Sequence, residues 1–211
     1  MMNPYQETFD TWNKVAQLYE DKFMYLTIYN DSYDFVCKHL QQSNSKLLEV
    51  GCGPGNITKY LLTQRPDFDI LGIDIAPNMI QLAEQNNPTA TFKVLDALKI
   101  NELNDLFDAI IVGFCLPYFA PIDAENFIKN AYAALNKKGV LYLSFVEGNP
   151  TDSGYQTGSS GDSTYFYYYH LNDLEKLLSS NQFKILKTFQ VEYEKSNNEK
   201  EIHTILIAEK T

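Results

Sequence analysis

The stretch LLEVGCGPGN, Leu47 to Asn56, sets three glycines, Gly51, Gly53 and Gly55, behind an apolar run that carries one acid, Glu49. Glycine adopts backbone dihedrals barred to residues with a Cβ, and it lets a ligand lie against the main chain itself. A helix over about residues 56–63 would then aim its first amides and its positive dipole end into the same space, which favours a carboxylate or phosphate. A dinucleotide loop has the form G-x-G-x-x-G, its third glycine allowing close helix–strand packing. Here that position is Asn56 and the pattern is G-x-G-x-G. Asp74 and Asp96 each close a later apolar run. The histidines, His39, His170 and His203, have no metal-ligand spacing. His203 reads as a structural residue of the last strand. Cys37, Cys52 and Cys115 form neither a CxxC pair nor a disulfide framework, which points to a reducing compartment. Cys52 and Cys115 read as small packing residues.

The elements that would position these residues follow from periodicity. Trp12, Val15, Ala16, Tyr19 and Phe23 fall on one face of a helix, and a second helix is predicted over residues 32–40. The segments KLLEV, ITKYLLTQ, DILGID, NMIQLAEQ, TFKVL, DAIIVGF, AENFIKNAYAAL and GVLYLSFV read as strand, helix, strand, helix, strand, strand, helix, strand. Near-continuous apolar strands between helices predict a parallel sheet covered on both faces. FKILKTFQVEY and EIHTILIAE, joined by a polar turn, predict an antiparallel hairpin at the end. Between GVLYLSFV and this hairpin lies NPTDSGYQTGSSGDST, rich in Gly and Ser and expected to be a mobile loop, followed by YFYYYH. If the latter is a strand, Tyr165, Tyr167 and Tyr169 face one way, and Phe166, Tyr168 and His170 the other. One set would pack in the core and the other could line a pocket.

Composition narrows the partners. The chain has 211 residues, 45% of them hydrophobic, and 17 basic against 27 acidic residues, a net charge of −10. Arg65 is the lone arginine. Clustered Lys and Arg neutralise phosphates in nucleic-acid binders, so neither DNA nor RNA is expected as a partner. The first residues have no basic and apolar signal-peptide pattern, and no run of eighteen apolar residues exists, so neither secretion nor a membrane span is expected. A cytoplasmic protein is the expectation.

LEVGCGPGNIT resembles the first motif of class I S-adenosylmethionine-dependent methyltransferases. LGIDIAPNMI resembles the second, whose strand-tip acid holds both ribose hydroxyls; Asp74 matches it. FKVLDAL resembles the third and sets Asp96 where the family's acid accepts from the adenine amino group. FDAIIVGFCLPYF resembles the strand that closes the site, with Phe114 to Tyr118 at its mouth. The likeness covers about residues 40–148. It implies S-adenosylmethionine as cofactor, held by Glu49, Gly51, Cys52, Gly53, Gly55, Asp74, Ile75, Met79, Asp96, Ala97 and Phe114, with Tyr19 reaching it from a lid. Two positions depart from the pattern. Ala76, a poor cap, stands where Ser or Thr often follows the ribose acid, and Tyr118 stands where many small-molecule members carry His.

The resemblance implies one Rossmann-like α/β domain with a seven-stranded, mostly parallel sheet and an antiparallel C-terminal hairpin. Residues 1–42 would form a helical lid, 43–148 the cofactor-binding core, 149–170 the acceptor loop, and 171–211 the last helix and hairpin. Methyl transfer asks mainly for alignment and water exclusion. A base is needed only where the acceptor must lose a proton, with His170 and Tyr118 as candidates. The acceptor is expected to be a small, partly apolar molecule, facing the loop over residues 149–170, with a protein acceptor left open. Three alternatives stay open: binding the cofactor without catalysis, using it in another reaction, or a nicotinamide-dependent oxidoreductase, against which Asn56 speaks.

Overall fold

A computed structural model describes residues 4–158, 161–195 and 198–211. The N-terminal face predicted as one helix is two, α1 (Pro4–Lys14) and α2 (Ala16–Phe23), broken at Val15, and α3 (Asn30–His39) follows. The core then runs β1 (Lys46–Val50), α4 (Asn56–Gln64), β2 (Asp69–Asp74), α5 (Pro77–Asn86), β3 (Thr91–Val94), β4 (Phe107–Val112), α6 (Pro121–Ala134) and β5 (Leu135–Val146). After it come a short hairpin, β6 (Gly154–Thr157) and β7 (Ser163–Phe166), then α7 (Leu171–Ser180), β8 (Phe183–Glu194) and β9 (Lys200–Lys210).

Seven strands form one sheet in the order β3-β2-β1-β4-β5-β9-β8. The β1–β5 pairings are parallel, while β9 runs antiparallel to both β5 and β8. The interior strands are buried along nearly their whole length because helices cover both faces, which is why their sequences are continuous rather than alternating. β8, at the edge, alternates between half-buried and exposed instead. β5 begins at Leu135, earlier than its apolar run suggests. α6 ends at Ala134 and β5 begins at the next residue, and the pairing of β4 with β5 shifts register between Phe107, opposite Leu135, and Ala109, opposite Val140.

The segment expected as a loop over residues 149–170 contains the β6–β7 sheet. Residues 159–160, within the Gly/Ser-rich stretch, lie outside the described residues. β7 is tied to the N-terminus: Thr11 Oγ1 donates to the Ser163 carbonyl at 2.9 Å, and Lys14 Nζ donates to Asp162 at 2.8 Å. Lid and hairpin therefore close over the same end of the sheet, where β1, β2, β4 and β5 finish. None of the helices among the described residues is long and apolar enough to cross a membrane.

Candidate active site

A cavity of about 550 Å³ lies at the C-terminal ends of the parallel strands, beneath α1 and α2. Its floor is the loop between β1 and α4. Gly51 sits at φ +66°, and a Cβ there would lie 2.9 Å from Cys115 Cβ, so backbone and neighbour both require glycine. Gly55, expected to touch the cofactor, does not line the cavity. It caps α4 in the left-handed region with its carbonyl accepting from Asn87 Nδ2 at 3.0 Å, and a Cβ would run into that amide. Its role is to seat α4 against α5.

Three carboxylates face this floor. Glu49, at the tip of β1, is 1% exposed. Thr58 of α4 donates to its Oε2, while Oε1 has no hydrogen-bond partner among the described residues. Burial pushes this carboxyl up to about 8. Asp74, at the tip of β2, accepts from Gly53 N through Oδ2 and from Ala76 N through Oδ1, each at 2.9 Å. Burial raises its pKa, against those two bonds. The contact to Ala76 N shows how α5 starts without a Ser or Thr cap: the acid two residues back takes the amide, and Pro77 fills the first turn. Asp96 Oδ1 accepts from Leu98 N at 2.9 Å and so fixes the turn after β3.

The walls are aromatic. Tyr19 stands over Gly53, since a Cβ on Gly53 would be 3.6 Å from its ring and 4.0 Å from Met79 Sδ. Trp12 packs edge-on against Tyr19 (5.4 Å) and Tyr118 (5.6 Å), and Tyr118 against Phe166 (5.8 Å). Burial holds the Tyr19 and Tyr118 hydroxyls above their ordinary pKa. Phe114 takes a left-handed φ of +55°, its amide donating to Ser144 Oγ at 2.8 Å. Cys52, Ile75, Ala97 and Cys115 complete the lining on this side.

Of the expected site residues, the structure brings together Glu49, Gly51, Cys52, Gly53, Asp74, Ile75, Met79, Asp96, Ala97, Phe114, Tyr118 and Tyr19. His170 is the second residue it leaves out. It is exposed at the cap of α7 because β7 ends at Phe166, so the strand alternation that would turn it inward stops four residues short. Tyr167 N instead donates to the Pro117 carbonyl at 2.7 Å and Tyr169 Oη to that of Phe119 at 2.5 Å, which pin the crossing to the outside of the cavity. From the loop over 149–170, Gln156 and Phe166 do line it.

The sequence reading missed a second group. His203, read as structural, lines the far end of the cavity with Tyr29, Tyr193, Lys195 and Glu201. Tyr5, Thr8 and Phe9 of α1 also line it. Tyr5 donates to Asp123 of α6 and accepts from Ala120 N at 3.1 Å, anchoring the lid.

The sheet order and the position of the site define a methyltransferase-type α/β fold. Residues 47–139 match the family model described as "Methyltransferase domain". A malonyl-[acyl-carrier protein] O-methyltransferase of Acetivibrio thermocellus is 36% identical over 105 residues, 49% of this chain and 36% of the relative. A carboxy-S-adenosyl-L-methionine synthase of Campylobacter hominis is 26% identical over 148 residues, 67% of this chain and 63% of the relative. The chain thus spans less than two thirds of the length of these curated relatives. A Burkholderia thailandensis 1,6-didemethyltoxoflavin-N1-methyltransferase, solved with its acceptor and S-adenosylhomocysteine, shares the fold at a TM-score of 0.74, 17% identical, covering 100% of this chain and 92% of that one. Over residues 47–139 the chain is thus similar to methyltransferase domains, and as a whole it shares the fold of solved S-adenosylmethionine-dependent methyltransferases.

Proposed function

We propose that the protein transfers a methyl group from S-adenosylmethionine to a small, partly apolar acceptor. One observation carries the reading. Glu49 keeps a buried oxygen without a partner beside a glycine loop, and Asp74 faces the other side of that loop. A ligand bearing an ammonium and a vicinal diol matches both acids, and the family's cofactor has both groups. Glu49 would take the ammonium. Asp74, fixed by two amides, keeps lone pairs for the ribose hydroxyls, and its carboxylate can accept from both. Asp96 would face the adenine amino group, with Ile75, Met79 and Ala97 packing on the adenosine. When bound, the cofactor supplies a methyl group on a sulfonium, an already activated leaving group.

What the chain contributes is alignment and dryness. Tyr19 stands over Gly53, and Trp12 packs on both it and Tyr118; this aromatic cluster would exclude water, with Phe114 as the wall toward the acceptor. Holding the reacting groups in line supplies on the order of 7–11 kcal/mol in favourable cases. Gln156 and Phe166 support an acceptor side that includes part of residues 149–170. The likeness to a carboxy-S-adenosyl-L-methionine synthase favours one second reading, in which the same cofactor is used in another reaction. The test is calorimetry with S-adenosylmethionine, S-adenosylhomocysteine and NADH, then turnover over a panel of small hydroxyl- and nitrogen-bearing acceptors. Binding of NADH alone would refute the reading; tight cofactor binding with product other than S-adenosylhomocysteine would select the second.

A further inference from the structure

Building on the methyl-transfer reading, we infer that Tyr29, backed by His203 and Glu201, forms a proton relay that receives the proton of a phenolic or enolic hydroxyl on the acceptor. The group is assembled from three places. Tyr29 caps α3, while Glu201 and His203 are two residues apart on β9 and so share one face of it. Tyr29 and His203 are each 7% exposed, and both line the cavity. Tyr29 Oη lies 2.6 Å from His203 Nδ1, and Glu201 Oε2 lies 3.6 Å from His203 Nε2. Tyr193 stacks on the imidazole at 4.7 Å with an interplanar angle of 12°, and Phe114 packs on it at 4.8 Å. Lys195 pairs with Glu201 from the side.

This geometry fixes the direction of proton flow. A carboxylate beside Nε2 favours the tautomer that carries its hydrogen there. Nδ1 is then the acceptor, and Tyr29 must donate to it. A tyrosine that has spent its hydrogen in this way presents only lone pairs to the cavity, so it can accept from an acceptor O–H. In the step, the acceptor O–H bond breaks and its electron pair stays on oxygen. The proton moves to Tyr29 Oη as the tyrosine's own proton passes to His203 Nδ1. The imidazolium formed is stabilised by Glu201, and the oxygen's electron pair is what the methyl group receives. Tyr29 is the catalytic residue; His203 and Glu201 act through it.

The surroundings select the acceptor class. Phe114, Tyr193 and Val146 make an aromatic and aliphatic wall around Tyr29. Glu49, Asp74, Asp96 and Glu201 face the cavity against one lysine among the described residues, Lys195, which is already paired. A carboxylate acceptor would be repelled, and it would have no proton for the relay to take. A flat, neutral molecule with an acidic hydroxyl fits both features.

The probe is 4-nitrophenol, whose phenolate absorbs separately from the phenol and whose proton is acidic enough for an imidazole to hold. It is titrated into wild type, Tyr29→Phe and His203→Gln, with and without S-adenosylhomocysteine, below the pKa of the free phenol. Wild type should bind it and raise its ionised fraction. Both variants should bind S-adenosylhomocysteine as wild type does, which reports that they fold, yet lose roughly tenfold or more of that ionisation. Nitrogen NMR of His203 should show Nε2 protonated and Nδ1 bare. No binding of the phenol, equal ionisation in wild type and variants, or a proton on Nδ1 would each overturn the relay. Failure of S-adenosylhomocysteine to bind wild type would instead overturn the methyl-transfer reading, since the phenol titration without it scores the relay separately.

Discussion

If Glu49 receives the cofactor's ammonium, binding must be linked to protons. Burial pushes this carboxyl from its model-compound value of 4.5 up to about 8, so near pH 7 the free protein holds it mostly protonated. An ammonium placed beside Oε1 favours the charged form. Taking the proton off costs about 1.4 kcal/mol for each pH unit below the pKa. Affinity for S-adenosylhomocysteine, which carries the same ammonium, should therefore rise about tenfold per unit from about pH 6 to about pH 8. Close to one proton should be released per ligand near pH 7. The stability of the free protein runs the opposite way. A carboxyl with a raised folded pKa contributes stability below its unfolded pKa and loses it as pH rises through the folded one, here between about 4.5 and about 8. Calorimetry in two buffers of different protonation enthalpy reads the proton count directly, and a pH series of thermal melts reads the second effect. Glu49→Gln keeps the shape and the contact from Thr58 but has nothing to titrate. It should flatten most of the pH dependence, leaving the smaller part due to Asp74, whose pKa burial also raises. Flat affinity in the wild type, or an undiminished slope in Glu49→Gln, would refute the pairing.

Three further outcomes are expected. Asp74→Ala should weaken S-adenosylhomocysteine binding by at least about 1.5–3 kcal/mol, the range of charge-assisted hydrogen bonds; unchanged affinity in a folded variant would remove the ribose assignment. Asp96→Asn should weaken binding moderately and reduce the preference for adenosine over inosine forms of the cofactor, measured by competition; an unaltered preference would move the adenine contact elsewhere. Gly51→Ala should lower the melting temperature and abolish cofactor binding, because its φ is +66° and its Cβ would press on Cys115 Cβ. Retained binding in that variant would mean that the loop has room the geometry does not show.

The half of the cavity proposed to hold the cofactor was legible because it is local. Each acid closes an apolar run, and a parallel strand that ends in a glycine loop delivers its tip to the crevice by topology. Glu49, Asp74 and Asp96 therefore announced themselves within short stretches, and the core strands appeared where their apolar runs stood. The helix break at Val15 was not legible, since Trp12, Ala16 and Tyr19 keep helical spacing across it and only their packing on Ala76 and Met79 shows the bend. His170 misled for a related reason. Alternation was extended through YFYYYH, but β7 ends at Phe166 once its partner β6 runs out.

The half proposed to face the acceptor is different in kind, because Tyr29 and His203 are 174 residues apart and no short motif joins them. Even so, one signal was available. The terminal hairpin is antiparallel to a sheet whose ligand crevice lies at the C-terminal ends of its strands. The start of β9 must then lie beside the end of β5, as the pairing of Val146 with His203 confirms. By the same logic the end of β8 reaches the crevice, bringing Tyr193 and Lys195. A polar residue near the beginning of the last strand is therefore delivered to the ligand end of the sheet, whereas the same residue near its finish would not be. In EIHTILIAE, Glu201 and His203 occupy that beginning, and the apolar run Ile205 to Ala208 follows them. Spacing shows that the strand has two faces; the direction in which it joins the sheet shows which of its ends can do chemistry.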